Sequence, residues 1–554
     1  MKRQSFIKGS LLLIGSAALA KVIGAIFRIP LANMLGGTGM GYFSAAYGIF
    51  MTVYAVSVSG IPAAAARFTA EFSASAPQKL PQFRKTALAV CFGAGLFFTI
   101  ITLLLAYPFC VFVSRSPLSA PAAAMIAPSV FFCCVTAVYR GFYEGQRNMF
   151  PTAVSQVIEA VIKLGAGLFL CRTVMNLSSE KLADITDIIC KLFPLYYINS
   201  SSAEELRLPL AAAAAISGVT ISTAAGMFFV TAYNSNVNKL FIKSKLYPSM
   251  STELARSFTA AVIPVAAGAL MTNLTSLIDL MTITRSLEKA IEISPESFSG
   301  IPSDEIPAFF YGSFTGMAVT VFNLIPSFTN MFGKSVLPCI AEDHSAGNAV
   351  SLHDNVTRAF FTTAYIAVPC GAGISAIAPD ILGLLFPARA AERAVCILPL
   401  RILGVGIIFL SVSSVLFQIL QGMGKSSIPV RIMLLGAAVK LVGNILLTPV
   451  PVLNISGAAI STVLCCGIVF ILSVYETSRC TGCTLKELAV LIAKIIFCGI
   501  LCAAAAFLVS QTLSQRHSCL VSVPLSVLTG AIIYIISTHL MGVLNKTTLK
   551  MLIC

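Results

Sequence analysis

Lys85-Thr-Ala-Leu-Ala-Val-Cys-Phe-Gly-Ala-Gly-Leu-Phe-Phe-Thr-Ile-Ile-Thr-Leu-Leu-Leu105 opens on one charged residue and then carries no other. A run of about 20 apolar residues is what a helix needs to cross bilayer hydrocarbon. Runs of this kind recur from end to end, beginning near Phe6, Tyr42, Lys85, Ala120, Pro151, Leu208, Ser257, Ala308, Arg358, Val395, Ile428, Ile455, Glu487 and Leu520. Short Gly-, Pro-, Ser- or Lys-containing breaks separate them. They make about fourteen spans and predict an all-α polytopic membrane protein, crossed by helices rather than barrel strands.

Composition agrees. Hydrophobic residues make up 57% of the 554, charged residues 11%, and the mean hydropathy is +0.90, which excludes an ordinary water-soluble domain. The longest polar segments, 176–207, 286–307 and 334–358, are loop-sized and too short for a core of their own. Most of the 17 Cys residues lie inside apolar runs, among them Cys133, Cys134, Cys465 and Cys466, where thiols behave as small hydrophobes. Cys480 and Cys483 form a lone CxxC without the second pair that tetrahedral zinc requires. No metal or other cofactor is expected.

With the N-terminus in the cytoplasm, about fourteen passes return the C-terminus to the same side. Sorting Lys and Arg by side then gives about 22 inside, about 11 outside and about 4 within helices, the positive-inside pattern of a plasma-membrane protein. The net charge of +15 therefore reflects orientation, and no nucleic-acid partner is expected. The segment Lys239-Leu-Phe-Ile-Lys-Ser-Lys-Leu-Tyr247 reads either as a solvated connector or as a basic strip along the anionic inner leaflet. Met1-Lys-Arg followed by Leu11 to Ala20 imitates a signal peptide, but the apolar run resumes after Lys21, so the first segment is read as a retained span.

Two distant segments match in order and spacing. Gly145-Gln-Arg-Asn-Met-Phe-Pro151 leads to Ala160-Val-Ile-Lys-Leu164, and Gly422-Met-Gly-Lys-Ser-Ser-Ile-Pro429 leads to Ala437-Ala-Val-Lys-Leu441, with the same interval from Gly145 to Lys163 as from Gly422 to Lys440. Each opens a helix after a basic turn, with Pro near its start, where a missing N–H costs little. The match predicts two parallel six-helix repeats, a lobe over 1–234 and another over 257–478, joined by a basic linker at 235–256 and followed by two helices and a short tail over 479–554. Repeats of this kind suit alternating access.

Lys21-Val-Ile-Gly-Ala-Ile-Phe-Arg-Ile-Pro-Leu-Ala32, Leu35-Gly-Gly-Thr-Gly-Met-Gly-Tyr42, Arg140-Gly-Phe-Tyr-Glu-Gly-Gln-Arg147 and Gly457-Ala-Ala-Ile-Ser-Thr462 resemble the stage V sporulation protein B group of polysaccharide-biosynthesis flippases. That group is related to lipid II flippases and, more remotely, to multidrug and toxin extrusion transporters. The resemblance spans nearly the whole chain. It implies two six-helix lobes enclosing a cavity, two appended C-terminal helices, and as partners a polyprenyl-diphosphate-linked sugar substrate and membrane lipids.

Ionisable side chains at mid-bilayer cost about 2.5 to 3.5 kcal/mol on insertion scales, so those retained usually face a cavity or a partner. Lys21 and Arg28 project from one face of the first helix, two turns apart at about 3.6 residues per turn, and could present a cationic ladder to a diphosphate. Glu159 and Lys163 stand at i and i+4, so a helix-internal ion pair and a cavity role are both open. Lys21, Arg28, Glu159 and Lys163 are the candidate substrate-binding residues. Asp279 lies where the resemblance implies a helix-7 coupling site in some lipid II flippases, whose other ligands match Lys440, Asn444 and Thr462. The ammonium of Lys440 departs from that pattern and makes a bound sodium doubtful, so an Asp279–Lys440 pair is the expected substitute.

Gly422-Met-Gly-Lys-Ser426 ends like a phosphate-binding loop but has Ile419 where the first Gly belongs. Gly37-Thr-Gly-Met-Gly41 lacks a dinucleotide fingerprint's spacing and reads as a flexible outer turn. The four His residues are scattered, and no nucleophile constellation is present, so the chain is expected not to be an enzyme. A cation-coupled drug exporter and a membrane glycosyl polymerase are the alternatives to a flippase.

Overall fold

The computed structural model describes residues 6–184, 205–238, 250–298, 305–482, 485–514 and 518–543. Parts of the polar segments, the basic strip at 239–247, Cys483 and the C-terminal tail lie outside them. Every regular element among the described residues is helical. Among the described residues, thirteen segments are long and apolar enough to cross a membrane, and the chain is a multi-pass membrane protein. The first, Leu12–Ser75, has 64 residues, about three times what one crossing needs, and is long enough for two passes. About fourteen crossings result, as the apolar runs predict. The chain divides into two compact units, Met1–Met281 and Thr282–Cys554.

The first unit begins with α1, Phe6–Ser57, broken inside at Gly36, whose φ of 67° lies in the left-handed region that only glycine enters freely. The expected flexible turn at 37–41 is instead helical, and the residues from Leu35 to Phe43 are buried. The small residues beyond the bend allow close packing. A Cβ at Gly39 would stand 3.5 Å from Leu208 at the start of α6. After α1 come α2 (Ile61–Ser75), α3 (Leu80–Pro108), α4 (Ala120–Gly145), α5 (Phe150–Met175) and α6 (Arg207–Asn238). Helices α2 and α4 approach backbone to backbone, since a Cβ at Gly145 would sit 2.5 Å from the Ala66 carbonyl oxygen. Small residues permit such contacts where lipid provides no hydrophobic drive between helices.

The last helix to contribute to the first unit is also a long one. Helix α7, Thr252–Ile293, begins inside the linker read at 235–256 and runs on into the lobe read from 257, and its first part packs with the first unit. Phe258 lies 5.8 Å from Phe83 and 6.4 Å from Phe68, ring centre to ring centre, and a Cβ at Gly60 would stand 3.0 Å from a Val262 methyl. These contacts all fall within the unit Met1–Met281.

The second unit continues through α8 (Ile306–Ser313), α9 (Val319–Ser345), α10 (Ala349–Ala376), α11 (Ala378–Leu385), α12 (Ala390–Gly422), α13 (Ser427–Leu447), α14 (Ile455–Thr481), α15 (Leu485–Ser514) and α16 (Cys519–Leu540). Its core joins Phe360, Phe361, Val412, Leu416 and Ile419. Gly422 ends α12 against α9, with a Cβ there 3.1 Å from the Leu337 carbonyl oxygen, just as Gly145 ends α4 against α2. The repeat visible in the sequence thus recurs as packing. Helices α15 and α16 join this unit through α10: the Tyr534 hydroxyl donates to the Tyr365 carbonyl at 2.9 Å, and a Cβ at Gly499 would stand 2.5 Å from a Val368 methyl. Outward-facing Leu508, Leu528, Ile532 and Ile535 are exposed on this pair, as lipid contact requires.

Candidate functional site

Four helices of the first unit bring charged and aromatic side chains together. Along the second half of α1, Phe43, Tyr47, Phe50 and Tyr54 form a stripe at helical spacing, with successive ring centres 5.9, 5.8 and 5.7 Å apart. Phe27, from the first half, lies 6.2 Å from Phe43 and closes one end. It fits against α5 because position 167 is glycine; a Cβ there would stand 2.8 Å from the Phe27 ring.

Two cations meet this stripe. The Lys163 ammonium lies 5.1 Å from the Tyr47 ring centre and 5.3 Å from that of Phe27. The Arg28 guanidinium lies 5.9 Å from the Tyr47 ring centre. Such contacts contribute about 0.5 to 2 kcal/mol each, more when water is excluded. Both cations are half-buried. Lys21 is exposed and sits about 10.5 Å along the helix from Arg28 at 1.5 Å per residue.

The helix-internal pair between Glu159 and Lys163 does not form. Glu159 instead accepts from Arg140 Nη2 of α4 at 2.8 Å, and Arg140 Nε donates to the Ser155 hydroxyl at 2.9 Å. The reason is bidirectional confinement. Arg140 lies on the helix facing α5, and on the other side a Cβ at Gly226 of α6 would overlap the Glu159 carboxylate. Arg140 stood in the sequence only as a motif residue and Tyr47 was missed; the aromatic spacing of Phe43, Tyr47, Phe50 and Tyr54 was the signal that could have found Tyr47.

In the second unit, Asn444 and Lys440 are buried, with 0% and 6% exposure. Asn444 Nδ2 donates to the Thr282 hydroxyl at 2.8 Å, while the Ser286 hydroxyl donates to the Asn444 carbonyl at 3.4 Å. The Ser461 hydroxyl donates to the Lys440 carbonyl at 2.8 Å. Thr462 turns its hydroxyl to its own helix, donating to Ala458 at 2.9 Å. Asp279 is half-buried in the first unit. Among the described residues no three His, Cys, Asp or Glu side chains are grouped to hold a metal.

Residues 6–179 match the family model for polysaccharide biosynthesis protein, and residues 313–446 match that for MatE. Stage V sporulation protein B of Bacillus subtilis (strain 168) is 22% identical over 99% of this chain and 98% of its own length. The lipid II flippase MurJ of the same organism is 23% identical over 83% of this chain and 80% of its own. A solved structure of lipid II flippase MurJ in an inward closed conformation superposes with a TM-score of 0.68 at 13% identity, covering 96% of this chain and 98% of that one; the two share a fold. These findings fit the multidrug/oligosaccharidyl-lipid/polysaccharide exporter superfamily and support a membrane flippase or transporter.

Proposed function

We propose that this chain moves a polyprenyl-diphosphate-linked oligosaccharide or peptidoglycan precursor from the inner to the outer leaflet of the plasma membrane by alternating access, for cell-wall or spore-cortex synthesis. The observation that carries this reading is the pairing of Arg28 and Lys163 at the Tyr47 ring while Glu159, the carboxylate one turn away, is held by Arg140. Two cations seated on an aromatic surface offer a diphosphate both a bidentate fork and a mobile point charge. The relatives named stage V sporulation protein B and lipid II flippase support the substrate class. In this reading Lys21 receives the headgroup first, both termini are cytoplasmic, and Asp279, Lys440, Asn444 and Thr462 couple transport to a driving force.

The MatE match over 313–446 favours a second reading, a cation-coupled drug exporter. A doubly cationic site argues against cationic drugs as cargo, because it repels them. Transport by purified protein in liposomes, using a fluorescent undecaprenyl-diphosphate-linked sugar and a membrane-impermeant quencher, separates the two. Protein-dependent movement that falls about tenfold in Arg28→Ala, and less in Lys21→Ala, is expected from the loss of a charge-assisted contact. Movement of a cationic dye but not of the lipid would reverse the conclusion.

A further inference from the structure

Glu159 and Lys163 occupy positions at which an acid and a base ordinarily pair along a helix, the acid four residues before the base. Here the carboxylate is drawn away. Arg140 Nη2 holds it at 2.8 Å, the Arg140 Nε is fixed at 2.9 Å to Ser155, and the Ser155 hydroxyl is itself anchored to the Thr152 carbonyl at 2.9 Å. Gly226 leaves the room the carboxylate occupies. Three helices therefore cooperate to keep one acid from its nearest base on the same helix.

We propose that Arg140 is a positioning residue that sets the charge of the site without touching its ligand: by holding Glu159 it keeps the Lys163 ammonium on the Tyr47 and Phe27 rings, available to a diphosphate. This inference rests on the diphosphate reading above. An uncompensated buried carboxylate is costly, and without Arg140 the cation within reach of Glu159 is Lys163, one turn away. The ammonium would leave the Tyr47 ring for that carboxylate, and the site would present one cation in place of two. A simple α4–α5 clamp predicts something different, namely a loss of stability in Arg140→Gln with the Lys163 ammonium still on the Tyr47 ring.

Tyr47 can report the outcome when replaced site-specifically by 3-fluorotyrosine in the full-length protein in nanodiscs. Its ¹⁹F line in Arg140→Gln should move towards that of Lys163→Met, the reference for a ring without its ammonium. The line should return to the wild-type position in Arg140→Gln/Glu159→Gln, in which no carboxylate competes for Lys163. Titration with inorganic pyrophosphate, followed on the same line, should show affinity falling about tenfold in Arg140→Gln and recovering to within about threefold of wild type in the double variant. If Arg140→Gln does not fold, Gly226→Ala keeps both charges while crowding the Glu159 carboxylate, and the same shift is expected. An unmoved line in Arg140→Gln or Gly226→Ala, or a double variant that stays with the single one, overturns the inference. The expected ¹⁹F pattern with no pyrophosphate response even in the wild type would uphold the control of Lys163 by Arg140 and overturn the diphosphate reading.

Discussion

The Lys163 ammonium sits 5.1 Å from the centre of the Tyr47 ring, although the sequence offers it a carboxylate one helical turn earlier. An aromatic face holds a cation without neutralising it, so the charge stays available to a ligand. Tyr47 also carries Arg28 at 5.9 Å, which makes one ring the support for two cations.

Tyr47→Leu should therefore weaken diphosphate-lipid binding more than Tyr47→Phe. Losing the face removes two contacts of about 0.5 to 2 kcal/mol each, whereas Phe retains the face and loses only the hydroxyl. Equilibrium binding in nanodiscs measures both. Equal losses would shift the role from the ring to the hydroxyl.

Helix packing supplies a second expectation. Gly145→Ala places a methyl 2.5 Å from the Ala66 carbonyl oxygen and 2.7 Å from Thr69 Cβ, and overpacking of this kind costs about 1 to 3 kcal/mol. Gly165→Ala meets nothing within 4 Å and should be neutral or gain up to about 1 kcal/mol from helix propensity. Thermal unfolding in detergent compares them, with a lower Tm expected for the first alone.

Much of this architecture was legible in the sequence because its signals are local. Span length, Pro151 and Pro429 near helix starts, and the matched Gly145 and Gly422 can each be read within one window of sequence. What escaped was set by contacts between helices. Arg140 captures Glu159 from a neighbouring helix, so the i,i+4 rule named the wrong partner. Phe258 packs against Phe83 from a distant helix, a contact that no polarity profile records. Gly36 was quoted inside a glycine-rich stretch, yet only its φ of 67° tells it from the helical glycines beside it.

Orientation is tested at two turns. Lys79 closes a short turn between α2 and α3, and Lys425 lies between α12 and α13. Single cysteines at these positions, in an otherwise thiol-free chain, should react with an impermeant maleimide only from the cytoplasmic side, following the positive-inside distribution. Reaction of both from outside would invert the topology.

Mass spectrometry of the lipids that co-purify with the protein tests the central claim most directly. The account predicts polyprenyl-diphosphate-linked sugars with the wild type and their loss from a folded Arg28→Ala/Lys163→Ala variant. A wild type that carries no such lipid from cells rich in it, or equal amounts on both proteins, would contradict the account.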